Sequence, residues 1–333
     1  MSTSPDAERS RPNTLLNLAL AGLGAILLVI TVRRVGWSTV QGSVTSVGWW
    51  LGPVVLLGLI RFAARARAWQ TCAQGKSLPF GVALSATLAA DALGNVTPLG
   101  LLASEPAKVF FIRGRLTTIE AVASVAAENA FYMTSVLLMI GAGALVFFER
   151  ANLSETLQLA AQGVLVAVMA GAVIGVWIAR RQPAILSRLA RTVARWTGRG
   201  ETAPDRLREL EVHFYAILRW PAPRLAKAFF WEAVFHVAAV TEVFMVLRVL
   251  PSARPITLLD AFVLETAGRL IVVAFKFIPY RLGVDEAGTA LVARALALDP
   301  ATGVALALVR RVRILILNAV GLALLAARRQ PRA

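Results

Sequence analysis

The sequence predicts an all-α polytopic integral membrane protein: a helical bundle of about six full spans plus two re-entrant helical hairpins in an inverted 3+3 repeat. Three observations predict it. Hydrophobic residues make up 57% of the 333-residue chain and charged residues 16%, whereas a soluble domain carries about a quarter charged. The apolar residues gather in runs close to the roughly 20 needed to cross a bilayer. The arginines stand between those runs, as positive-inside topology signals do. That placement also accounts for the formal net charge of +16, so nucleic acid is not an expected partner.

Residues 1–13, with Pro5, Asp6, Glu8, Arg9 and Arg11, read as a disordered cytoplasmic tail. The apolar run after them is long enough to stay as an anchor and shows no small-residue cleavage site, so no removable signal is expected. Thr14–Val32 and Thr45–Ile60 are the first two expected spans. The segment Arg61–Trp69 is basic and amphipathic and is expected on the cytoplasmic surface. Phe80–Leu93 is apolar but too short to cross, and it ends in Gly94-Asn95-Val96-Thr97-Pro98-Leu99-Gly100, a helix-breaking string. Residues 80–115 therefore read as a hairpin that enters from the cytoplasm and returns to Lys108, Arg113 and Arg115.

Ala121–Phe148 and Leu157–Ala179 follow as spans. Residues 180–228 are the one sizeable soluble stretch, basic through Arg180, Arg181, Arg188, Arg191, Arg195 and Arg199, with a short amphipathic helix opening at Pro204-Asp205. This stretch is too small and polar for its own core and reads as a cytoplasmic loop that touches anionic headgroups. Phe229–Leu250 spans again. Leu258–Ile278 runs to a break at Pro279-Tyr280-Arg281-Leu282-Gly283, and Val284–Leu298 runs away from it, forming the second hairpin. Gly303–Ala327 is the last span, and 328–333 is a cytoplasmic tail with Arg328, Arg329 and Arg332. Residues 14–327 thus form one domain, its halves about 14–148 and 157–327, each ordered span, span, hairpin, span; transporters use such repeats. A shared spacing supports the repeat: Glu105 stands seven residues after Pro98, and Glu286 seven after Pro279. Some 23 to 25 residues further on come Glu128 and Asn129 in one half and Arg310 and Arg311 in the other.

Charges inside spans cost roughly 2.5–3.5 kcal/mol each on insertion scales and face a partner or a watery cavity. Glu265, Arg269 and Lys276 share one helical face, with Glu265 and Arg269 at ion-pair spacing. Arg310 and Arg313 share a face of the last span, and Arg311 lies about 100° away. Glu120, Ser124, Glu128, Tyr132 and Ser135 form a polar stripe, and Glu232 and His236 sit one turn apart. Two readings stay open. In one the charges pair and glue the bundle together, with Arg313 or Lys276 snorkelling to the interface. In the other, Arg269, Lys276, Arg281, Arg310, Arg311 and Arg313 line a basic cavity that holds a phosphate group. Two hairpin tips, shaped by Asn95, Thr97, Pro98, Pro279 and Gly283, would then aim helix amino termini at the anion. Glu105 and Glu286 would hold those turns or pair with the arginines. Glu128, Glu265, Glu232 and His236 take structural or proton-coupling roles.

Catalytic residues are not expected, since no acid–base–nucleophile set stands out. Neither His213 nor His236 has a second ligand at metal spacing, and Cys72 is the lone cysteine, so no metal is expected. No phosphate-binding loop or dinucleotide glycine pattern occurs, and no cofactor is expected.

The run Phe277-Ile278-Pro279-Tyr280-Arg281-Leu282-Gly283-Val284-Asp285-Glu286-Ala287-Gly288, with Val309-Arg310-Arg311-Val312-Arg313 after it, resembles the transmembrane domain of lysylphosphatidylglycerol synthases and its stand-alone, flippase-like relatives. Asn95, Thr97, Pro98 and Glu105 are similar to that family's earlier motif. The resemblance covers roughly residues 14–327. Tyr280-Arg281 replaces the family's usual pair of glycines, which resembles a stand-alone subgroup associated with hopanoid biosynthesis. The synthases' soluble aminoacyl-transferase domain has no counterpart within the 333 residues, so lysine transfer from tRNA is not expected of this chain alone.

The resemblance implies translocation of a lipid between leaflets of the bacterial inner membrane. The expected function is a lipid transporter, not an enzyme, moving an anionic or isoprenoid-type lipid by alternating access. The alternatives are an accessory subunit of a lipid-synthesis complex and a membrane-embedded lipid-modifying enzyme with Glu286 or Glu128 as base. Expected partners are membrane lipids, lipid-biosynthesis enzymes and a second copy of the chain.

Overall fold

A computed structural model describes residues 45, 47–73, 78–96, 100–150, 155–197, 203–252, 254–275, 281 and 283–327. Among them the secondary structure is helical, with no strand. The helices are α1 (Leu51–Cys72), α2 (Phe80–Val96), α3 (Gly100–Phe111), α4 (Thr118–Arg150), α5 (Glu155–Arg181), α6 (Ile185–Thr197), α7 (Ala203–Tyr215), α8 (Ala222–Val249), α9 (Leu258–Ala274), α10 (Val284–Ala295) and α11 (Pro300–Ala327). Among the described residues, four segments are long and apolar enough to cross a bilayer: Gly48–Cys72, Thr118–Glu149, Glu155–Arg181 and Ala222–Val249. Helix α11 is 28 residues long but carries Arg310, Arg311 and Arg313 mid-length. The expected first span (14–32) and both tails lie outside the described residues.

One expectation is corrected at α1. The helix does not end near Ile60 but runs on to Cys72. No glycine or proline interrupts Arg61–Trp69, and its alanines are strong helix formers. Only part of this segment faces outward: Arg67 is exposed, whereas Arg61, Ala64, Ala66, Ala68 and Trp69 are buried.

Helices α2 and α3 pack on each other, as do α9 and α10. Helix α2 fits inside the bundle because its buried residues are mostly small: Ala83, Ala86, Ala89, Ala90 and Ala92. Gly321 of α11 comes so close that a Cβ there would sit 2.5 Å from the Leu88 carbonyl oxygen. Gly143 of α4 seats in the same way against the Thr266 side chain of α9. A capping box starts α9, with Thr257 Oγ1 accepting from the Asp260 amide at 3.2 Å and Asp260 accepting from the Thr257 amide at 2.8 Å. Arg254 donates to both Asp260 oxygens at 2.8 Å and to the Leu296 carbonyl at 2.8 Å. That fork closes the open end of the α9–α10 pair.

The helix contacts come in matched couples about a central α1–α8 seam. The pairs α1–α2, α2–α3, α3–α4, α1–α4 and α1–α11 have counterparts in α8–α9, α9–α10, α10–α11, α8–α11 and α8–α4. Helix α2 also lies against α11, and α9 against α4. Each short-helix pair thus rests on the last long helix of the other half.

Helix α5 lies against α4 and exposes Leu159, Val166, Met169, Val173 and Trp177, as a lipid-facing helix would. Helices α6 and α7 pack on each other, and α7 also lies against α4. The Glu211 carboxylate accepts from the Leu186 amide at 2.7 Å, the Ser187 amide at 3.4 Å and the Ser187 hydroxyl at 2.7 Å. Tyr215 donates its hydroxyl to the Pro183 carbonyl at 2.9 Å. Burial, then the nearby Glu211 charge, raise the Tyr215 hydroxyl above its usual pKa.

Candidate functional site

The bundle encloses a polar cavity of about 200 Å³. Seven cationic side chains line it (Arg61, Arg65, Lys108, Arg269, Arg281, Arg310, Arg313) against four carboxylates (Asp91, Glu105, Glu265, Asp285). They arrive from α1, α2, α3, α9, α10, α11 and the turn before α10, while α4 and α8 supply Tyr132 and Phe235.

Three deeply buried carboxylates organise these cations, each taking two. Glu242 of α8 binds Arg61 at 2.9 Å and Arg313. Glu128 of α4 binds Arg65 at 2.5 Å and Lys108 at 3.2 Å. Glu265 of α9 takes Arg269 Nε at 2.7 Å and Arg310. All three are 0–2% exposed, so the pairing removes a charge burial that neither partner could bear alone. Aromatic faces add to this: Arg65 stands 3.9 Å from the Tyr132 ring centroid, and Arg61 and Arg269 each 5.0 Å from that of Phe235. Tyr132 and Phe235 meet edge to face at 5.5 Å, and the Tyr132 hydroxyl accepts from Arg269 at 3.4 Å.

The turn before α10 is built from two left-handed residues, Arg281 at φ 49° and Gly283 at φ 81°. Gly283 adopts this region freely; Arg281 does so at a steric cost. Arg281 is thereby placed in the cavity lining, where its Nε donates to Asp285 at 3.2 Å. Glu286 accepts from the Gly283 amide at 2.9 Å and pairs with Arg311. Glu286 thus caps α10 and occupies the Gly283 amide at its amino terminus.

The sequence-expected residues divide as follows. Arg269, Arg281, Arg310 and Arg313 come together in the cavity lining, with Asn95, Glu105 and Glu265. Asn95 donates to Asp91 at 2.7 Å and to Asn318 at 3.5 Å, and Glu105 pairs with Lys108 at 3.2 Å. Arg311 is buried but does not line the cavity, because it points a third of a turn away from Arg310, toward Glu286. Glu128 stands behind the lining, as do Glu232 and His236. His236 Nε2 lies 3.0 Å from Ser135 Oγ. Lys276, Thr97, Pro98 and Pro279 lie outside the described residues.

Six charged participants are not among the expected site residues: Arg61, Arg65, Lys108, Asp91, Asp285 and Glu242. The first three had been placed at the cytoplasmic surface. A sequence signal existed for Arg61 and Arg65, which are one turn apart and point away from Arg67.

Every lining arginine has a carboxylate partner, yet a guanidinium holds five donors. Arg281 meets Asp285 through Nε, and Arg310 meets Glu265 through Nη2. Their remaining N–H groups suit an oxyanion.

Residues 14–321 match the family described as Lysylphosphatidylglycerol synthase TM region. No curated protein and no solved structure matches the chain.

Proposed function

Because the chain belongs to the Lysylphosphatidylglycerol synthase TM region family, a family of lipid-related membrane proteins, we propose that it moves an anionic or isoprenoid-type lipid between leaflets with the headgroup in the central cavity. The observation that carries this reading is a buried chamber with seven cations and four carboxylates on its lining and Glu128 and Glu242 paired to those cations from behind. Charged side chains in such a setting are costly and mark substrate paths. The matched helix contacts support an inverted repeat of two halves with α2–α3 and α9–α10 as re-entrant hairpins. Rocking one half against the other would then open the cavity to each leaflet in turn. The setting proposed is the bacterial inner membrane, with both termini cytoplasmic.

Arg281 and Arg310 are the headgroup contacts to test. Replacing either leaves no buried carboxylate bare, since Glu265 keeps Arg269 and Asp285 is half-buried. Native mass spectrometry of the purified protein should show one enriched anionic lipid class, lost in the Arg281→Ala, Arg310→Ala variant. Equal bulk lipid in both samples would remove the reading. The complete pairing of the cavity arginines favours a second one, an accessory subunit whose charges are structural glue. It predicts stable co-purification with a lipid-biosynthesis enzyme and no response to the cavity variants.

A further inference from the structure

Glu232 departs from the rule set by its neighbours. Glu128, Glu242 and Glu265 each hold two cations, whereas Glu232, 1% exposed on α8, has no hydrogen-bond partner at either carboxyl oxygen among the described residues. We infer that Glu232 is a proton-binding site and that its proton is exchanged in step with lipid movement. The coupling part rests on the transport reading above.

A carboxylate buried without a partner is far less stable than the neutral acid, so such a group is held by a proton instead of a cation. The surroundings fit. Helix α1 brings Arg65 and Cys72 toward Glu232, α4 brings Glu128 and Ser135, and the field of Lys108 reaches it from α3. The Ser135 hydroxyl is already engaged, donating to the Tyr132 carbonyl at 2.8 Å. On α8 itself, His236 stands one turn away with Nδ1 buried and without a partner among the described residues. Glu265 and Arg269 of α9, with Arg61, act on that His236 turn, and Arg313 of α11 acts at Glu242.

Arg65 connects the two sites. It lines the cavity and is bound to Glu128. When the Glu232 O–H bond breaks and the proton passes to water, the new carboxylate competes with Glu128 for Arg65. Glu128 tolerates the loss because Lys108 remains at 3.2 Å. Arg65 then leaves the cavity lining, and a bound headgroup loses one of its cations. Re-forming the O–H bond returns Arg65 to Glu128. Proton on and headgroup cation in place therefore go together.

Two measurements test this. Infrared spectra of the purified protein in nanodiscs at neutral pH should contain a protonated-carboxyl band that Glu232→Gln abolishes. Gln matches the neutral acid in shape, so the variant folds. A wild-type spectrum without the band, or a band that survives the substitution, overturns the proton site. In phosphatidylcholine vesicles carrying fluorescent phosphatidylglycerol, with membrane potential clamped, a gradient of one pH unit should drive leaflet asymmetry of up to about tenfold. Glu232→Gln should only equilibrate the leaflets. Wild-type translocation that ignores the gradient overturns the coupling and leaves the transport function standing. No translocation removes the transport reading and the coupling with it, while the infrared band still decides the proton site.

Discussion

Replacing Glu242 should cost more than replacing either of its cations. The carboxylate is 0% exposed, and Arg61 and Arg313, 8% and 7% exposed, both depend on it. Glu242→Gln leaves two guanidiniums buried with no anion, which costs about 3–5 kcal/mol for such a buried pair. Arg61→Met leaves Glu242 still bound to Arg313, so the loss is one charged hydrogen bond, about 1.5–3 kcal/mol. The triple change to Met at 61, 242 and 313 leaves no charge behind and should recover most of the wild-type stability. The chain has eight tryptophans, so intrinsic fluorescence melts in detergent can follow all variants. Glu242→Gln should lower the Tm by on the order of 10 °C, with Arg61→Met intermediate and the triple variant near wild type. A Glu242→Gln melt within a degree of wild type, or an Arg61→Met melt below it, would refute the reasoning.

Gly321→Ala places a methyl 2.5 Å from the Leu88 carbonyl oxygen and should destabilise by about 1–3 kcal/mol through overpacking, read in the same melts. Arg281→Gly removes the guanidinium but relieves the left-handed backbone, so stability should stay within about 1 kcal/mol of wild type. Headgroup binding should fall, as seen by native mass spectrometry. The Tyr215 hydroxyl has a raised pKa in the fold, so its contribution is fully present below the unfolded value of about 10. That contribution is lost as pH rises through the folded value. Protection factors of the α6 and α7 amides, which divide out the intrinsic base catalysis of exchange, should therefore fall only at strongly alkaline pH, and Tyr215→Phe should abolish this pH step.

The helices were legible where composition and punctuation agreed. Apolar runs marked α4, α5 and α8, Gly94–Gly100 marked the break between α2 and α3, and Pro279–Gly283 marked the start of α10, although α9 ends at Ala274, short of the expected Ile278. The Glu265–Arg269 pair was readable because both partners lie on one helix at i,i+4. Arg61 and Arg65 were misplaced because a basic segment after an apolar run looks the same whether it faces headgroups or the interior. What decides is a carboxylate 181 residues away for Arg61 and 63 residues away for Arg65. Glu242 drew no notice for the same reason, being a single acid with no local partner. Arg311 was expected on the cavity lining with Arg310, yet the roughly 100° between neighbours on a helix turns it to Glu286 instead.

The double clamp at Glu242 also orders how the chain can be assembled. Arg61 enters the membrane with α1, but its carboxylate follows 181 residues later and that carboxylate's second cation 71 residues after that. The Leu88–Ala89 backbone of α2 likewise waits for Gly321 of α11 to close over it. During synthesis the early helices must hold unneutralised charge in or near the bilayer until the last one arrives. Contacts so distant in sequence close slowly, which makes the unfinished chain the state most exposed to quality-control proteases and most in need of an insertase that keeps its polar side hydrated.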